Sequence, residues 1–523
     1  MKKTIFFFAL IMSMLFTAQA GYVIRGITST DVLPEFKNYT LTFDASGNPI
    51  SFASMNTSLA LGTKKNTIVV VHSNSNNSEI FPVYIIGEDP FADYDIEVRD
   101  VQYSKYNDTY VICGSRKIGS NPNAFVAVID RNFSTMLFVQ YPEADVFYSI
   151  WADIGPHIAP LTFFYACGAV GNYGVIAYLV PTSLQVVNFF TTNEEWVYHK
   201  IIAKENTVTG GLYFYVSGRG RNYSLVGLTN FTPSSFPTTC YYWSQTTQPA
   251  SHCVVADYVR ENDKVIVASS YQNTVTLSPV TFPLMSGSSI NKYIFTIPNY
   301  VTLDIQDIGT IYENGDVGIS VAGIRNQHTL PLLNQAWHGY VHGLSLSSIM
   351  RNNHYTDAAA YYEHYKVRYY NGEAYTGGFY QKANSRCALF ATPLRGPDYC
   401  NFIYYSQTSQ GNETCYTFNL TSSQHPYHPY DNFPASPKIM NYNDHCGDLK
   451  RSEAAEDGEN EIIAFSDHII LKNIEIKTNY QIYNVIGQLV QTGTVMSDIS
   501  TAKLGKGVYI LRLESGKTFK LVK

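Results

Sequence analysis

Short apolar runs broken by small and polar residues fill most of this chain, and one pattern recurs. Three or four apolar or aromatic residues lead to a small pair, then a polar turn, then another apolar run. The copies are Tyr110-Val-Ile-Cys113-Gly114, Phe164-Tyr-Ala-Cys167-Gly168, Phe214-Tyr-Val-Ser217-Gly218, Val265-Ile-Val-Ala268-Ser269, Ile319-Ser-Val-Ala322-Gly323 and Glu373-Ala-Tyr-Thr-Gly377-Gly378. Taking the second small residue as a marker, the steps are 54, 50, 51, 54 and 55 residues. A weaker copy, Ile68-Val-Val-Val-His72-Ser73, stands 41 residues before Gly114. Apolar runs such as Ala124–Asp130, Gly174–Leu179 and Tyr223–Leu228 follow the markers, with Asn at 123, 172, 222, 273, 326 and 384 in or near the connecting turns. Asn accepts left-handed backbone and closes hairpins.

A repeat of 40–55 residues filled with short strands predicts propeller blades, because a four-stranded blade buries both faces only between neighbours. Seven marked units predict seven blades, with six or eight also compatible, and small markers are expected to let blades approach near the axis. A strand near residues 21–33 is expected to complete the last blade. Two β-sandwiches are the rival all-β fold. The small pair after a short hydrophobic strand resembles a degenerate kelch repeat, although only Gly377-Gly378 has both glycines and the following Trp of that family is missing.

The C-terminus predicts a separate small β-sandwich. Tyr480–Gly487, Gln488–Thr494, Lys506–Leu513 and Lys517–Lys523 alternate apolar and polar residues between Gly turns. Tyr483-Asn-x-x-Gly487-Gln488, the Gly507-Val508-Tyr509 turn and the closing Lys517-Thr-Phe-Lys520-Leu-Val-Lys523 resemble the type A C-terminal sorting domain of the type IX secretion system of Bacteroidetes. That resemblance implies export across both membranes to the cell surface or medium, with the secretion machinery as partner. The expected domain order is a signal peptide over 1–20, the propeller over 21–446, a charged linker over 447–466 and the sorting domain over 467–523.

The signal is expected from Lys2 and Lys3, the 13-residue run Thr4–Phe16 and a cleavage site at Ala18-Gln-Ala20. That run falls short of the roughly 20 residues that span a bilayer. Residues 158–180 carry no charge over 23 positions, but Cys167-Gly168 and Gly171-Asn172 interrupt them, so a hairpin is expected and no membrane span remains after signal cleavage. Hydrophobic residues at 45% and 42 Tyr exclude a disordered chain, and a net charge of −6 gives no basic field for nucleic acid.

An exported protein can carry disulfides. Cys113 and Cys167 share one repeat position and are expected to be buried small residues. The similar segments Cys240–Gln248 and Cys400–Gln410, each followed by another Cys, suggest the pairs Cys240–Cys253 and Cys400–Cys415, leaving Cys387 and Cys446 as a long-range clasp.

Acidic residues stand 17–23 positions before five markers, at Glu97, Asp145, Glu195, Asp304 and Asp357. Carboxylates at a channel mouth could serve acid/base chemistry on a sugar or hold Ca²⁺. With 42 acidic residues in 523, however, that occupancy only slightly exceeds chance, and solvated loop carboxylates are the simpler expectation. No cofactor is otherwise implied. His338 with His342, and His425 with His428, lack further ligands at a metal-site spacing. No nucleophile elbow, zinc-protease helix motif or phosphate-binding Gly loop occurs. Aromatic residues expected on loops, Trp196, Trp243, Trp337, Tyr427 and Tyr430, are the candidate binding residues. The expectation is thus a secreted or cell-surface propeller binding an unidentified protein or glycan without catalysis. An extracellular glycosidase or lyase, or a structural adhesion scaffold, is the alternative.

Overall fold

The computed structural model describes 41 strands between Gly26 and Val522 and the short turns that join some of them, with side chains chiefly within 38–54, 68–72, 95–310 and 479–513. The expected signal, residues 1–20 with Ala18 and Ala20, lies outside the described residues. The chain divides into two compact units, Met1–Ser452 and Glu453–Lys523.

The first unit is a seven-bladed β-propeller. From inner to outer strand, blade 1 is Glu35–Phe43, Pro49–Ser58, Lys64–His72 and Tyr84–Ile86, and blade 2 is Asp95–Ser104, Thr109–Ile118, Asn121–Asp130 and Met136–Tyr141. Blade 3 comprises Val146–Trp151, Phe164–Val170, Tyr173–Leu179 and the first part of the long strand Val186–Asn206. The second part of that strand opens blade 4, followed by Gly211–Gly220, Leu225–Phe231 and Thr239–Ser244. Blade 5 is Cys253–Asp257, Lys264–Tyr271, Thr274–Thr281 and Ser289–Thr296, and blade 6 is Tyr300–Glu313, Asp316–Gln327, Asn334–His342 and Met350–Asn353. Blade 7 runs Ala360–Tyr370, Glu373–Lys382 and Ser385–Leu389, and its outer strand is Gly26–Ser29 from the start of the chain, with Ile27 opposite Ala388. The inner strands pack in sequence around the ring, and Glu35–Phe43 packs against both its successor and Ala360–Tyr370.

The continuous apolar runs follow from this arrangement. Alternate residues of a strand face opposite sides, and here both sides are interfaces. Tyr110 and Ile112 enter the core between blades 1 and 2, whereas Val111 and Cys113 enter the core between blades 2 and 3. Tyr165 and Cys167 likewise face blade 4, with Phe164 and Ala166 facing blade 2. Residues 164–170 and 173–179 form the expected hairpin, turned at Gly171 with a φ of 55°. Among the described residues no helix is long and apolar enough to cross a membrane.

The markers lie on the second strand of blades 2–7, and two of them are small for a reason inside the blade. In blades 2, 3, 4, 6 and 7 the inner strand slips register beside the marker, between Val98 and Asp100, Phe147 and Ser149, Tyr198 and Lys200, Ile305 and Asp307, and His364 and Lys366. Such a bulge bends the strand locally. It drives the inner-strand carbonyl of Glu97 to 1.9 Å from where a Cβ of residue 114 would stand, and that of Val146 to 1.9 Å from a Cβ at residue 168. At these two markers the clash is within the blade, whereas a Cβ on Gly377, the first of the small pair in blade 7, would meet the Tyr39 ring of blade 1, the close approach between blades that was expected. Blade 5 pairs Cys253 with Ser269 in unbroken register, and there the marker is Ser. Blade 1 corrects the placement of the first marker. Ser73 follows the third strand; the position equivalent to the other markers is Ser54, opposite Lys37 just before a bulge. The short first step of 41 residues came from that misplacement.

Residues beyond blade 7, irregular in sequence, form a strap. Phe402–Tyr405 adds an antiparallel fifth strand to blade 6, Ser409–Thr414 to blade 5, Tyr416–Asn419 to blade 4 and Thr421–Ser423 to blade 3. Lys438–Ile439 then joins blade 1, and Tyr442–Asp444 pairs with Gly26–Ser29 on blade 7. The strap runs backward around the circumference and covers outer edges that would otherwise present unpaired backbone groups. Blade 2 has no strap partner among the described residues.

The cysteines depart from expectation. Cys113, Cys167, Cys240, Cys253 and Cys415 are all free and buried, so neither Cys240–Cys253 nor Cys400–Cys415 forms. Cys240 packs in the core between blades 3 and 4, and Cys253 in that between blades 4 and 5, with the sheet of blade 4 between them. Cys113 and Cys167 are the small core residues expected. Cys387 lies on a described strand whose side chain is outside the described set, and Cys400 and Cys446 lie outside the described residues.

In the second unit, Leu489–Val495, Thr478–Asn484, Val508–Leu513 and Thr518–Val522 form one sheet, and Ile462–Ala464, His468–Leu471 and Asp498–Ser500 a second. Tyr480, Ile482, Leu511 and Leu513 of the first sheet share a core with Ile499 of the second. Pairing begins at Ile462, inside the stretch expected to be linker.

Candidate functional site

The bulges aim side chains at the propeller axis. Blade 1 contributes Asn38 and Tyr39, and blades 2, 3, 4 and 6 contribute the extra residues Arg99, Tyr148, His199 and Gln306. Val254 of blade 5 and Lys366 of blade 7 complete a cavity of about 60 Å³. All seven blades thus meet at one site. Around its wall Arg99 lies over the Tyr148 ring at 5.7 Å, and Tyr148 stacks on His199 at 5.3 Å with 10° between planes. Arg99 donates to Asn38 Oδ1 at 2.8 Å and to Glu97 Oε2 at 2.8 Å, and Asn38 Nδ2 donates to the same carboxylate at 3.0 Å.

The residues directly after the bulges form a charged layer. Asp307 binds Lys200 and Arg368 and accepts the Val367 N–H at 3.2 Å. Arg368 also reaches Asp100 at 3.0 Å, where Ser149 donates at 2.6 Å, Thr40 at 3.3 Å and the Ile150 N–H at 3.3 Å. Lys366 stands 3.5 Å from Asp100, and Lys200 donates to Ile308 O at 2.7 Å. Burial by itself would push both carboxyls up, but the cations outweigh it. Arg368, Lys200 and Lys366 hold Asp307 below the usual carboxylate range, and Lys366, Arg368 and the Ser149 hydroxyl do the same for Asp100. Burial pulls Lys200 down to about 8, with Asp307 opposing it. Both partners of that pair therefore carry charge at neutral pH.

The expected carboxylates scatter. Glu97 and Asp304 come beside the cavity, each two residues before a bulge residue, and Asp304 accepts from Gln306 Nε2 at 2.7 Å. Asp145 instead accepts the turn N–H of Gly171 at 2.6 Å, and Glu195 pairs across from Tyr173 near the blade 3 to blade 4 crossing. Asp357 is outside the described residues. Trp196 is 2% exposed, roofing Gly218 and Gly227, and Trp243 is fully buried between blades 4 and 5; both rings are core. Trp337 lies on Asn334–His342 with its side chain outside the described set, and Tyr427 and Tyr430 are outside the described residues. Among the described residues no cluster of three metal-ligating side chains gathers.

The charged layer escaped sequence inspection because its offset from the marker varies. Asp100, Ser149, Lys200, Asp307 and Lys366 precede their markers by 14, 19, 18, 16 and 12 residues as the hairpin lengthens or shortens. The usable signal was the small pair itself. Its first member is the register partner of this layer on the second strand, Cys113 with Asp100, Cys167 with Ser149, Ser217 with Lys200, Ala322 with Asp307 and Gly377 with Lys366.

In the second unit the terminal motif builds a turn. Asn484 N donates to Gln488 O at 2.9 Å, Gln488 N to Asn484 Oδ1 at 2.9 Å and Asn484 Nδ2 to Gln488 Oε1 at 3.0 Å. Tyr483 faces outward, opposite Leu489 on one side and Ile510 on the other, which are 50% and 43% exposed. Tyr509 packs on the core from its edge, and Lys520 stands opposite Ile510. Gly487 and Gly507 lie outside the described residues.

Residues 462–523 match the family profile of the secretion system C-terminal sorting domain. No curated protein matches the chain. Among solved structures it is similar to the Dos1 propeller, at 6% identity and a TM-score of 0.36 over 70% of this chain and 95% of that one. It is also similar to a GH43_12 retrieved from a capybara gut metagenome, at 8% identity and a TM-score of 0.23 over 77% and 97%. The propeller assignment rests on this chain's own strand pairing. The C-terminal match makes the chain a type IX secretion cargo, secreted or held at the outer surface.

Proposed function

We propose that the propeller is a non-catalytic binding module for an extracellular protein or glycan, delivered by the sorting domain, in the order signal peptide 1–20, propeller from residue 21 and a linker before the C-terminal unit. The observation that carries this is the state of the channel carboxylates. Asp100 and Asp307 are buried, ionised and held by Lys200, Lys366 and Arg368. A glycosidase needs one carboxyl kept protonated as its acid and a second free to act as base or nucleophile. Carboxyls held below the usual carboxylate range and tied into salt bridges fit neither role. Glu97 and Asp304 are likewise engaged by Arg99, Asn38 and Gln306. The cavity has room for little more than a chemical group, far below the several hundred Å³ of ordinary substrate pockets. The bulk of a ligand would therefore rest on the rim.

The test is a glycan array and an extracellular-protein capture screen with the mature protein, paired with assays for reducing-end release. Saturable binding without turnover is the expected outcome. Turnover that disappears in both Asp100→Asn and Asp307→Asn, with each variant folded, would replace this function by the hydrolytic one.

A further inference from the structure

The channel-mouth cavity is lopsided in hydrogen-bonding capacity. Arg99 uses both terminal nitrogens on Asn38 and Glu97, which leaves its buried Nε–H without an acceptor. The Lys366 side chain is only 11% exposed, and its nearest anion, Asp100, stands 3.5 Å away. An ammonium brings three donors, so Lys366 retains donors that no described group accepts. The amides of Asn38 and Gln306 point their N–H groups at Glu97 and Asp304, carboxylates that hold the wall from outside the lining. The lining itself holds Arg99, His199 and Lys366 and no carboxylate. Beneath it, Lys200, Lys366 and Arg368 face Asp100 and Asp307, three cations to two anions.

We infer that the channel mouth binds a small oxyanion, the carboxylate or sulfate group of an acidic ligand, accepting hydrogen bonds from the Lys366 ammonium beside the Arg99 guanidinium. A volume of about 60 Å³ admits such a head group and excludes a whole sugar ring. Tyr148, braced between Arg99 and His199, fixes the side wall. The inference rests on the binding-module function and adds the chemistry of the anchoring group: an acidic substituent enters the channel while the rest of the ligand stays on the rim.

The experiment is isothermal titration of the mature protein with sodium sulfate, sodium acetate, glucuronate and, as neutral control, glucose. Glucuronate or acetate should bind and glucose should not. Lys366→Met and Arg99→Gln should each weaken binding at least about tenfold, the scale of one charge-assisted hydrogen bond. Thermal unfolding of every variant identifies any that fails to fold, and a folded Lys366→Met that binds as well as the parent overturns the inference. So does the absence of saturable binding up to ~10 mM, and so does sulfate binding without glucuronate or acetate binding, which marks an adventitious ion only. If neutral glycans or proteins bind the mature protein while all anions fail, the binding module stands and the oxyanion site does not.

Discussion

Gly168 cannot carry a side chain, because the Val146 carbonyl occupies the place of its Cβ at 1.9 Å. Gly168→Ala is expected to destabilise the propeller by about 1–3 kcal/mol, the scale of overpacking in a tight interior, measured by urea unfolding. Ser269→Ala should cost less, since blade 5 has no bulge to relieve. Asp307 is fully buried between Lys200 and Arg368, and Asp307→Asn leaves two cations short of a counter-charge. Breaking a buried ion pair from one side costs roughly 3–5 kcal/mol, readable as a fall in the denaturation midpoint. The sign of the acid response follows from the same residues. Asp100 and Asp307 have lower pKa values folded than the roughly 3.9 of an unfolded Asp. Their stabilisation is therefore present above about pH 4 and drains away as pH falls through the folded values. Unfolding free energy should hold near neutral pH and decline in acid, and Asp307→Asn should flatten that decline. These side chains were individually illegible in the sequence, since a buried Asp in a network and a solvated loop Asp look alike. Only the small residues opposite them recorded that the inner strand was crowded.

Strands and hairpins were legible because, among the described residues, the middle strands bury both faces between blades, so their runs are apolar and the turns are conspicuous by contrast. The strap was not legible. Phe402–Tyr405 or Tyr416–Asn419 adds one short strand to an existing edge, and such a strand needs no apolar face of its own. Its likeness to Cys240–Gln248 marks no equivalent position: Thr239–Ser244 is the fourth strand of blade 4, whereas Phe402–Tyr405 is a fifth strand added to blade 6. The disulfide expectation failed at this same scale, because sequence neighbours on adjacent strands can face different cores. Removing residues 402–444 should bare the outer edges of at least six blades, counting Gly26–Ser29 on blade 7. The truncated protein is expected to self-associate in size-exclusion chromatography and to melt at lower temperature than the parent, as unpaired edges do.

At the scale of the whole molecule, the sequence disclosed two architectures by two routes: a period of about fifty residues for the propeller and a terminal motif for the sorting domain. The motif was legible because Asn484 and Gln488 must both be present to lock one turn, whereas Tyr483 is free to face outward. A chain ending before residue 462 should fold its propeller and stay in the periplasm, measured by fractionation with mass spectrometry of surface and periplasmic material. Recovery of the shortened chain at the surface would separate export from the sorting domain.

Ile27 lies opposite Ala388 and Asp444, so the first described strand of the body waits for two of its last. A chain that emerges N-terminus first releases this closing piece hundreds of residues ahead of its partners. Contacts between such distant segments form slowly. The ring consequently completes only once the whole body has emerged, and a chain threading through a narrow passage stays open until its tail arrives. For a cargo addressed by its C-terminus, the end that seals the circle and the end that carries the address become available together.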